Sequence, residues 1–225
     1  MVRLKKMNAV ILALTGFLIA FANPQIVLAA NNSTFNQTIN AGTLSTDILD
    51  ASRNSVASPS VGMTARNFSF NCQTSTGTFG TNTERIYVIN PNAANNGWTL
   101  TLAATPGPTA VWTSGGNTFD FNDAAGSGCT DGADADTKAG QLSVDPSVST
   151  LTTDCTSCTT TGVSKGSSSA YVQGTTDSLT LLTAAAASDD AWRGYITGVN
   201  LSQTIPAETP TGTYTLNMTL TATAS

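Results

Sequence analysis

The most constraining feature of the sequence is a strict polar–apolar alternation between residues 214 and 223. A period of two places successive side chains on opposite faces, which indicates a strand with one face in a core and the other in water. One strand cannot bury an apolar face alone, so its partner strands must come from earlier sequence. A turn built on prolines and glycine precedes it. The apolar members of the alternation are Tyr214, Leu216, Met218, Leu220 and Ala222.

Short apolar stretches separated by turn residues recur along most of the chain. We find no repeat of fixed period, no heptads and no long amphipathic helix. Many short strands divided by turns are typical of antiparallel sandwiches. The sequence therefore predicts an all-β protein, an antiparallel, Greek-key-like β-sandwich with long irregular loops.

Two local patterns give specific strand predictions. The apolar run 85–89 and the alternating run 98–102 flank an Asn-rich loop that ends in Asn96-Gly97. Because Asn-Gly suits the positive φ of tight hairpin turns, this region predicts a β-hairpin. The run Asn67–Cys72 also alternates, which predicts a strand with Phe68 and Phe70 on one face.

The first 29 residues have the features of an export signal. Basic residues precede an uncharged apolar run at 9–22, and Val27-Leu28-Ala29 has the small-residue spacing of a cleavage site. The alternative is an uncleaved membrane anchor, but the run is shorter than the roughly 20 residues that span a bilayer. We expect residues 30–225 to form a single domain. It would contain an Asp/Gly-rich loop at 120–140 and a Ser/Thr/Gly-rich excursion at 145–174.

Charge narrows the classes of partner. Removal of the signal leaves six basic and fourteen acidic residues, a net charge of −8. An acidic chain is poorly suited to nucleic acid or to anionic membrane surfaces. We expect no nucleic-acid partner and no membrane association after cleavage.

Catalytic residue types are scarce. The chain has no histidine, which removes Ser-His-Asp and Cys-His arrangements and histidine metal sites. Residues 30–225 hold two glutamates, Glu84 and Glu208, and both lie in or beside predicted turns. Asp189-Asp190 could be half of a carboxylate pair for glycoside hydrolysis, but nothing indicates its partner. We expect a protein that is not an enzyme.

Four cysteines follow the signal, namely Cys72, Cys129, Cys155 and Cys158. An even number in an exported chain indicates two disulfides, with three possible pairings. Cys155 and Cys158 are close enough to pair locally, which leaves Cys72 with Cys129. Closing that longer loop would stabilise the fold by about 4 kcal/mol. A redox-active C-x-x-C and a zinc site are weaker alternatives, because the neighbours are Thr and Ser and no second C-x-x-C exists.

Oxygen-bearing side chains cluster in the Asp/Gly-rich loop. Ca²⁺ takes about six to eight oxygen ligands from carboxylates, carbonyls and water on a chain that can bend. The loop does not match an EF-hand, and the alternative is a solvated acidic loop. We expect at most a Ca²⁺ cofactor, with candidate ligands Asp120, Asn122, Asp123, Asp131, Asp134 and Asp136.

Two motifs carry a family resemblance. The run 97–102, Gly-Trp-Thr-Leu-Thr-Leu, resembles the first signature of the WxL domain, a family of exported bacterial surface domains. Leu220 stands where the second signature usually has tryptophan, and Ala222 where it has leucine. The two motifs cover about forty residues. The residues that resemble the second signature in order and spacing are Ile205, Pro206, Gly212, Tyr214, Met218 and Thr219.

The resemblance implies non-covalent attachment to the cell wall. The expected function is an exported, extracellular or cell-surface protein that binds envelope glycan or other surface proteins. The alternative is a fibre or array subunit that self-associates through strand edges. Trp98, Leu100 and Tyr214 are the candidate contact residues. For Trp98 the other interpretation is a hairpin core residue, and for Tyr214 a buried corner tyrosine bonded to a loop backbone.

Overall fold

The computed structural model describes residues 34–94, 96–132, 137–186, 188 and 191–225. The chain divides into two units, residues 1–39 and 40–225. In the first unit, the described residues 34–39 have no regular secondary structure. The predicted signal, residues 1–29, lies outside the described residues. In the part that is described, no helix is both long and apolar enough to cross a membrane.

The second unit consists of strands joined by loops, with one short 3₁₀ helix at Ala125–Gly128 among its described residues. In chain order the strands are β1 (Ser45–Leu49), β2 (Gln73–Phe79), β3 (Arg85–Asn90), β4 (Trp98–Ala104), β5 (Trp112–Ser114), β6 (Asn117–Phe119), β7 (Gln141–Asp145), β8 (Thr150–Thr153), β9 (Val163–Lys165), β10 (Ser169–Ala170), β11 (Ser178–Ala184), β12 (Trp192–Thr197), β13 (Val199–Ile205) and β14 (Met218–Ala224).

These strands form three four-stranded antiparallel sheets and one small ribbon. Sheet A has the order β1-β3-β12-β8, sheet B has β10-β7-β13-β2, and sheet C has β14-β4-β11-β9. The ribbon pairs β5 with β6. The predicted class, an all-β antiparallel sandwich, is confirmed.

One hydrophobic core joins the three sheets. It receives Ile86 from sheet A, Val144 from sheet B and Leu100 from sheet C. The rings of Trp98 and Trp192 lie 5.2 Å apart, centroid to centroid, and connect sheet C to sheet A. Both tryptophans are buried, because period-two alternation in β4 and β12 turns these side chains inward.

The predicted hairpin between residues 85 and 102 is wrong. β3 pairs with β1 and β12, whereas β4 pairs with β11 and β14, so the Asn-rich loop crosses from sheet A to sheet C. Gly97 serves a close backbone approach, since a Cβ there would lie 2.5 Å from the carbonyl oxygen of Ala184. The two strands face each other across the core instead of lying side by side.

The predicted strand at residues 67–72 is also absent. This run has no strand structure, and β2 begins one residue later, at Gln73. Phe68 and Phe70 are exposed and contact each other edge to face, with centroids 5.2 Å apart. Alternation over six residues does not show whether a sheet is present to receive the apolar face.

The segment 145–174, predicted to be an excursion away from the sheets, instead contributes to each of the three four-stranded sheets. It contains β8, β9 and β10, which are edge strands of sheets A, C and B respectively. Thr and Ser have favourable geometry on a pleated surface, so a segment rich in them can pair at an edge without a long apolar run. The described residues of the Asp/Gly-rich loop, 120–132 and 137–140, are irregular as predicted, apart from the 3₁₀ turn.

The terminal alternation forms a strand, as predicted. β14 pairs with β4 in antiparallel register, with Leu220 opposite Leu102 and Ala222 opposite Leu100. Leu220 and Ala222 are half-buried, and the alternating Thr219, Thr221 and Thr223 are exposed. The regular strand begins at Met218, four residues later than the alternation itself.

Both disulfides have the predicted pairing. Cys72 is bonded to Cys129, which ties the start of β2 to the Asp/Gly-rich loop. Cys155 is bonded to Cys158 in the turn after β8. The backbone N–H of Arg193 donates to Cys155 Sγ at 3.3 Å, so the small loop is held against β12.

Replacing Trp98 with alanine should lower the free energy of unfolding by about 3–5 kcal/mol, because a buried ring and its contact with Trp192 are removed. Phe70→Ala is the control, since this side chain is 75% exposed and should change stability little. Urea denaturation, monitored by backbone circular dichroism so that the signal does not rely on tryptophan fluorescence, measures the free energy of unfolding of both variants. Equal effects of the two substitutions would contradict the assignment of Trp98 to the core.

Candidate binding groove

A groove runs where the edge strands β1 and β14 approach each other. Its main part is a cavity of about 590 Å³, within the size range of protein ligand pockets. One wall follows residues 214–220, and the opposite wall is formed by Thr46, Asp47 and Ile48 of β1. The groove therefore lies between the open sides of sheets A and C.

The floor of the groove is the hydrophobic core itself. Leu102 of sheet C, together with Leu142 and Leu201 of sheet B, lines the cavity. The hydroxyl of buried Tyr171 donates to the Leu102 carbonyl at 2.8 Å and holds this part of β4 in place. Burial raises the pKa of Tyr171 well above its ordinary value, so this donor stays protonated at physiological pH.

A second cavity of about 530 Å³ continues the groove toward the turn before β14. Its lining includes residues 61–69, 205–206 and 209–215, and it shares Val61, Met63, Trp112, Tyr214 and Thr215 with the first. We call the two cavities together the β14 groove. Its ionisable lining residues are Asp47, Arg66 and Tyr214, and more of the lining surface is apolar than polar.

An aromatic cluster fixes the junction of the two cavities. Trp112 stacks on Phe119 with centroids 5.8 Å apart, and Phe119 contacts the Tyr214 ring at 4.9 Å. Trp112 Nε1 donates to Gln203 Oε1 at 2.9 Å. Tyr214 donates its hydroxyl to the Pro210 carbonyl at 2.8 Å, and burial raises the pKa of Tyr214. The cluster is a rigid, half-buried aromatic surface beside the groove.

The candidate contact residues from the sequence separate into two groups. Trp98 and Leu100 are 1% and 0% exposed, so the proposed direct contact of these side chains with wall glycan is corrected to a core role. Tyr214 lines the groove and bonds a loop backbone as expected, although it is half-buried and not buried. The sequence reasoning named Trp112 as a possible glycan-stacking residue beside Trp98, but it did not identify Phe119. The signal that could have linked the two is their position on either side of Gly115-Gly116, the turn of the β5–β6 ribbon.

The predicted calcium ligands that are described also separate into buried and exposed residues. Asp120, Asn122 and Asp123 are buried together at the base of the Asp/Gly-rich loop, whereas Asp131 is exposed. Asp134 and Asp136 lie outside the described residues. Among the residues that are described, no group of three acidic or cysteine side chains is arranged to hold a metal ion.

The buried members of this set bond the backbone. Asp123 accepts from the N–H groups of Ala125 and Gly132 at 2.9 and 2.7 Å. Asn122 Nδ2 donates to the Pro108 carbonyl at 2.8 Å. These contacts show that Asp123 and Asn122 fold the loop. Calcium binding stays a prediction, because two of its six ligands are not described.

Asp154 is the centre of a charged cluster on sheet A. Its carboxylate accepts from Arg53 Nε and Nη2 at 2.7 and 2.8 Å, and from the Tyr87 hydroxyl at 3.0 Å. Arg193 Nε donates to the Asp154 carbonyl at 2.8 Å. The hydrogen bond from Arg53 is the main reason that the pKa of Asp154 is lowered, and that from Tyr87 adds to it against the effect of burial. The cluster joins the turn after β1 to the disulfide loop.

Comparison with known proteins identifies no relative. No protein family, curated protein or solved structure matches this chain. The interpretation of the groove therefore depends on its own geometry.

Asp154→Asn should lower the free energy of unfolding by about 1 kcal/mol at neutral pH, because the charge-assisted bonds to half-exposed Arg53 and to Tyr87 are weakened. The folded pKa is depressed, so the stabilisation is present above the ordinary value of 3.8 and is lost as the pH falls through the lower folded value. Urea denaturation of both proteins measures this. A difference that persists unchanged well below pH 3.8 would contradict the ionic origin.

Asp123→Ala should lower the free energy of unfolding by about 1–3 kcal/mol with or without EDTA, because both carboxylate oxygens accept backbone N–H groups. Asp131→Ala is the matched control in the same loop, where the side chain is exposed. Thermal melts in EDTA and in added Ca²⁺ measure both. If EDTA removes the difference between wild type and Asp123→Ala, the carboxylate stabilises the loop through an ion.

Proposed function

We propose that this chain is an exported, non-enzymatic cell-surface protein that associates non-covalently with the envelope through the β14 groove. The observation that carries the proposal is a groove whose floor consists of core residues from two sheets. A monomer gains stability by covering such residues, so an open groove of this kind favours a binding role. Two disulfides are compatible with an oxidising, extracellular compartment.

The groove chemistry favours a protein partner over glycan. Leu216, Met218 and Leu220 line the first cavity with aliphatic side chains, whereas sugars require many hydrogen bonds and an open aromatic face. Trp112 and Tyr214, the aromatic side chains that line both cavities, each already pack against Phe119. β14 is also an edge strand whose second side pairs with no strand among the described residues. An extended peptide could add to this edge and place its side chains in the groove.

The WxL resemblance supports attachment at the cell wall. The strands that carry the two motifs, β4 and β14, are hydrogen-bonded neighbours in sheet C. Trp98 of the first motif and Tyr214 of the second then lie at opposite ends of the pair, one in the core and one beside the groove. The two motifs therefore belong to one structural element, the β4–β14 pair, next to the proposed binding surface.

A fibre or array subunit is the second candidate function. Phe35 and Ile39 are 94% and 91% exposed, and they lie four residues apart in an uncharged stretch. Together with the open edge of β14, this favours self-association. The two candidates share the groove and differ in what occupies it.

Co-sedimentation with envelopes of the source organism tests the proposed function. We expect the exported protein to pellet with intact envelopes, and Leu216→Gln to weaken binding at least about tenfold, since a polar group enters an apolar groove. Thr221→Gln is the matched control on the outward face of β14. Envelopes stripped of protein separate the two partner classes.

Loss of binding to the stripped envelopes indicates a protein partner, and retained binding indicates glycan. Equal binding by wild type and Leu216→Gln would show that the groove is not the attachment site.

A further inference from the structure

The Cys155–Cys158 disulfide lies in a turn that reaches the surface after β8. Both cysteines are half-buried, and the two residues between them, Thr156 and Ser157, are exposed. This bond joins residues with a sequence separation of 3. The other disulfide spans a separation of 57. Because a disulfide stabilises a fold more when the loop that it closes is longer, the small loop contributes less to the stability of the fold than the long one.

Two backbone carbonyls at the start of β12 face the sulfur atoms. Cys155 Sγ lies 3.5 Å from the Arg193 carbonyl oxygen, and Cys158 Sγ lies 3.6 Å from the Ala191 carbonyl oxygen. A disulfide sulfur carries no hydrogen, whereas a thiol can donate its S–H to a carbonyl. The acceptors for both thiols of the reduced pair are therefore already in place, and reduction requires no rearrangement of β12.

The sulfur of Cys155 also receives a hydrogen bond. The backbone N–H of Arg193 donates to Cys155 Sγ at 3.3 Å. Such a donor stabilises the negative charge on a departing thiolate, and a more stable thiolate leaves faster in thiol–disulfide exchange. In many redox-active cysteine pairs the N–H groups of a helix amino terminus have this role. Here the donor belongs to a strand, so the uncharged neighbours Thr156 and Ser157 do not exclude reactivity.

The backbone on either side of the disulfide is held by contacts that do not involve the S–S bond. Before the loop, the Asp154 N–H donates to the Arg193 carbonyl at 2.8 Å, and Arg193 Nε donates to the Asp154 carbonyl at 2.8 Å. After the loop, Trp192 Nε1 donates to the Thr159 carbonyl at 2.9 Å. Both ends of the loop therefore stay attached to β12 when the S–S bond is broken, and the two thiols stay close enough to re-form it.

We propose that the Cys155–Cys158 disulfide is a thiol–disulfide exchange site, at which this protein accepts two electrons from a dithiol without unfolding. The Cys72–Cys129 disulfide stays a structural bond. Neither Cys155 nor Cys158 is among the residues that line the β14 groove, so the inference is independent of the proposed function.

The exchange proceeds in two displacements. A thiolate of the dithiol attacks Cys158 Sγ, the S–S bond breaks, and Cys155 leaves as the thiolate that the Arg193 N–H stabilises. The second sulfur of the dithiol then attacks the first within the mixed disulfide and displaces Cys158. The dithiol is oxidised to a disulfide, and its two protons are taken up by the two cysteine thiolates.

A dithiol is the productive reductant because of the short spacing of the pair. After attack by a monothiol, Cys155 is three residues from the mixed disulfide at Cys158 and can displace the monothiol again. A dithiol carries its own second thiol and completes the reduction. The partner expected from this chemistry is a surface oxidoreductase with a reactive pair of thiols.

Redox titration of the exported protein tests the proposal, with dithiothreitol as the dithiol. The protein is equilibrated at graded ratios of reduced to oxidised dithiothreitol, quenched in acid and alkylated, and peptide mass spectrometry reports each disulfide separately. We expect Cys155–Cys158 to be half reduced at a ratio at least about tenfold lower than the long-range disulfide, a difference of about 30 mV. Backbone circular dichroism should show the same fold before and after this first reduction.

Serine variants test whether the fold depends on the bond. Cys155→Ser/Cys158→Ser is an analogue of the reduced state, since both hydroxyls can donate to the same two carbonyls. It should keep the circular dichroism spectrum of wild type and unfold close to the wild-type urea midpoint. The matched control Cys72→Ser/Cys129→Ser should unfold at a lower urea concentration, because a long loop is released.

The direction of attack is mapped with reduced glutathione, a monothiol that stops at the mixed disulfide. Samples are quenched in acid within seconds and alkylated at low pH. Mass spectrometry should place glutathione on Cys158 at least about tenfold more often than on Cys155, since Cys155 is the sulfur that receives the Arg193 N–H.

Three results would overturn the inference. These are reduction of Cys155–Cys158 only together with the long-range disulfide, unfolding of the protein when this pair is reduced or replaced by serine, and glutathione divided equally between the two cysteines or mainly on Cys155.

Discussion

Contact between sheets A and C at Trp98 and Trp192 is the interaction on which the rest of the structure depends. The two rings fill the centre of the core, and neither strand that carries them pairs with the other. Their packing requires small neighbours. A Cβ on Gly194 would lie 2.5 Å from the Trp192 ring, and one on Gly97 would lie 2.5 Å from the Ala184 carbonyl. These two glycines let the backbone approach large rings, and the positions of β4 and hence of β14 follow from that packing.

Local chemistry determined which parts of the fold could be predicted. The alternation at residues 214–223 identified a half-buried strand, and cysteine spacing identified the disulfides, because both signals are present within the sequence itself. The hairpin at 85–102 could not be judged from its turn, since β4 finds its partners about 80 and 120 residues later. A short window of sequence carries no information about strand partners that are so far apart along the chain. The same limit explains segment 145–174, whose polar composition suits both a loop and an edge strand.

The candidate site was harder to predict than the fold. Tyr214 was identified by its motif, and its hydroxyl bond to a loop carbonyl was expected because sandwiches often use a tyrosine in this way. The groove itself arises where the open edges of sheets A and C approach each other above residues of sheet B, so no single stretch of sequence encodes it. Asp123 illustrates the reverse case. Its residue type suggested an ion ligand, while its hydrogen bonds from the backbone N–H groups of Ala125 and Gly132 give it a role in folding the loop.

The segment 145–174 has a consequence for how the protein unfolds. One run of chain supplies an outer strand to each of the three sheets. Detaching that segment removes one edge strand from each of the three sheets at once. The sheets therefore cannot open independently as separate foldons. The protein should therefore lose its structure in one cooperative step, and a protease that cuts within this run would release the whole fold and not a single edge.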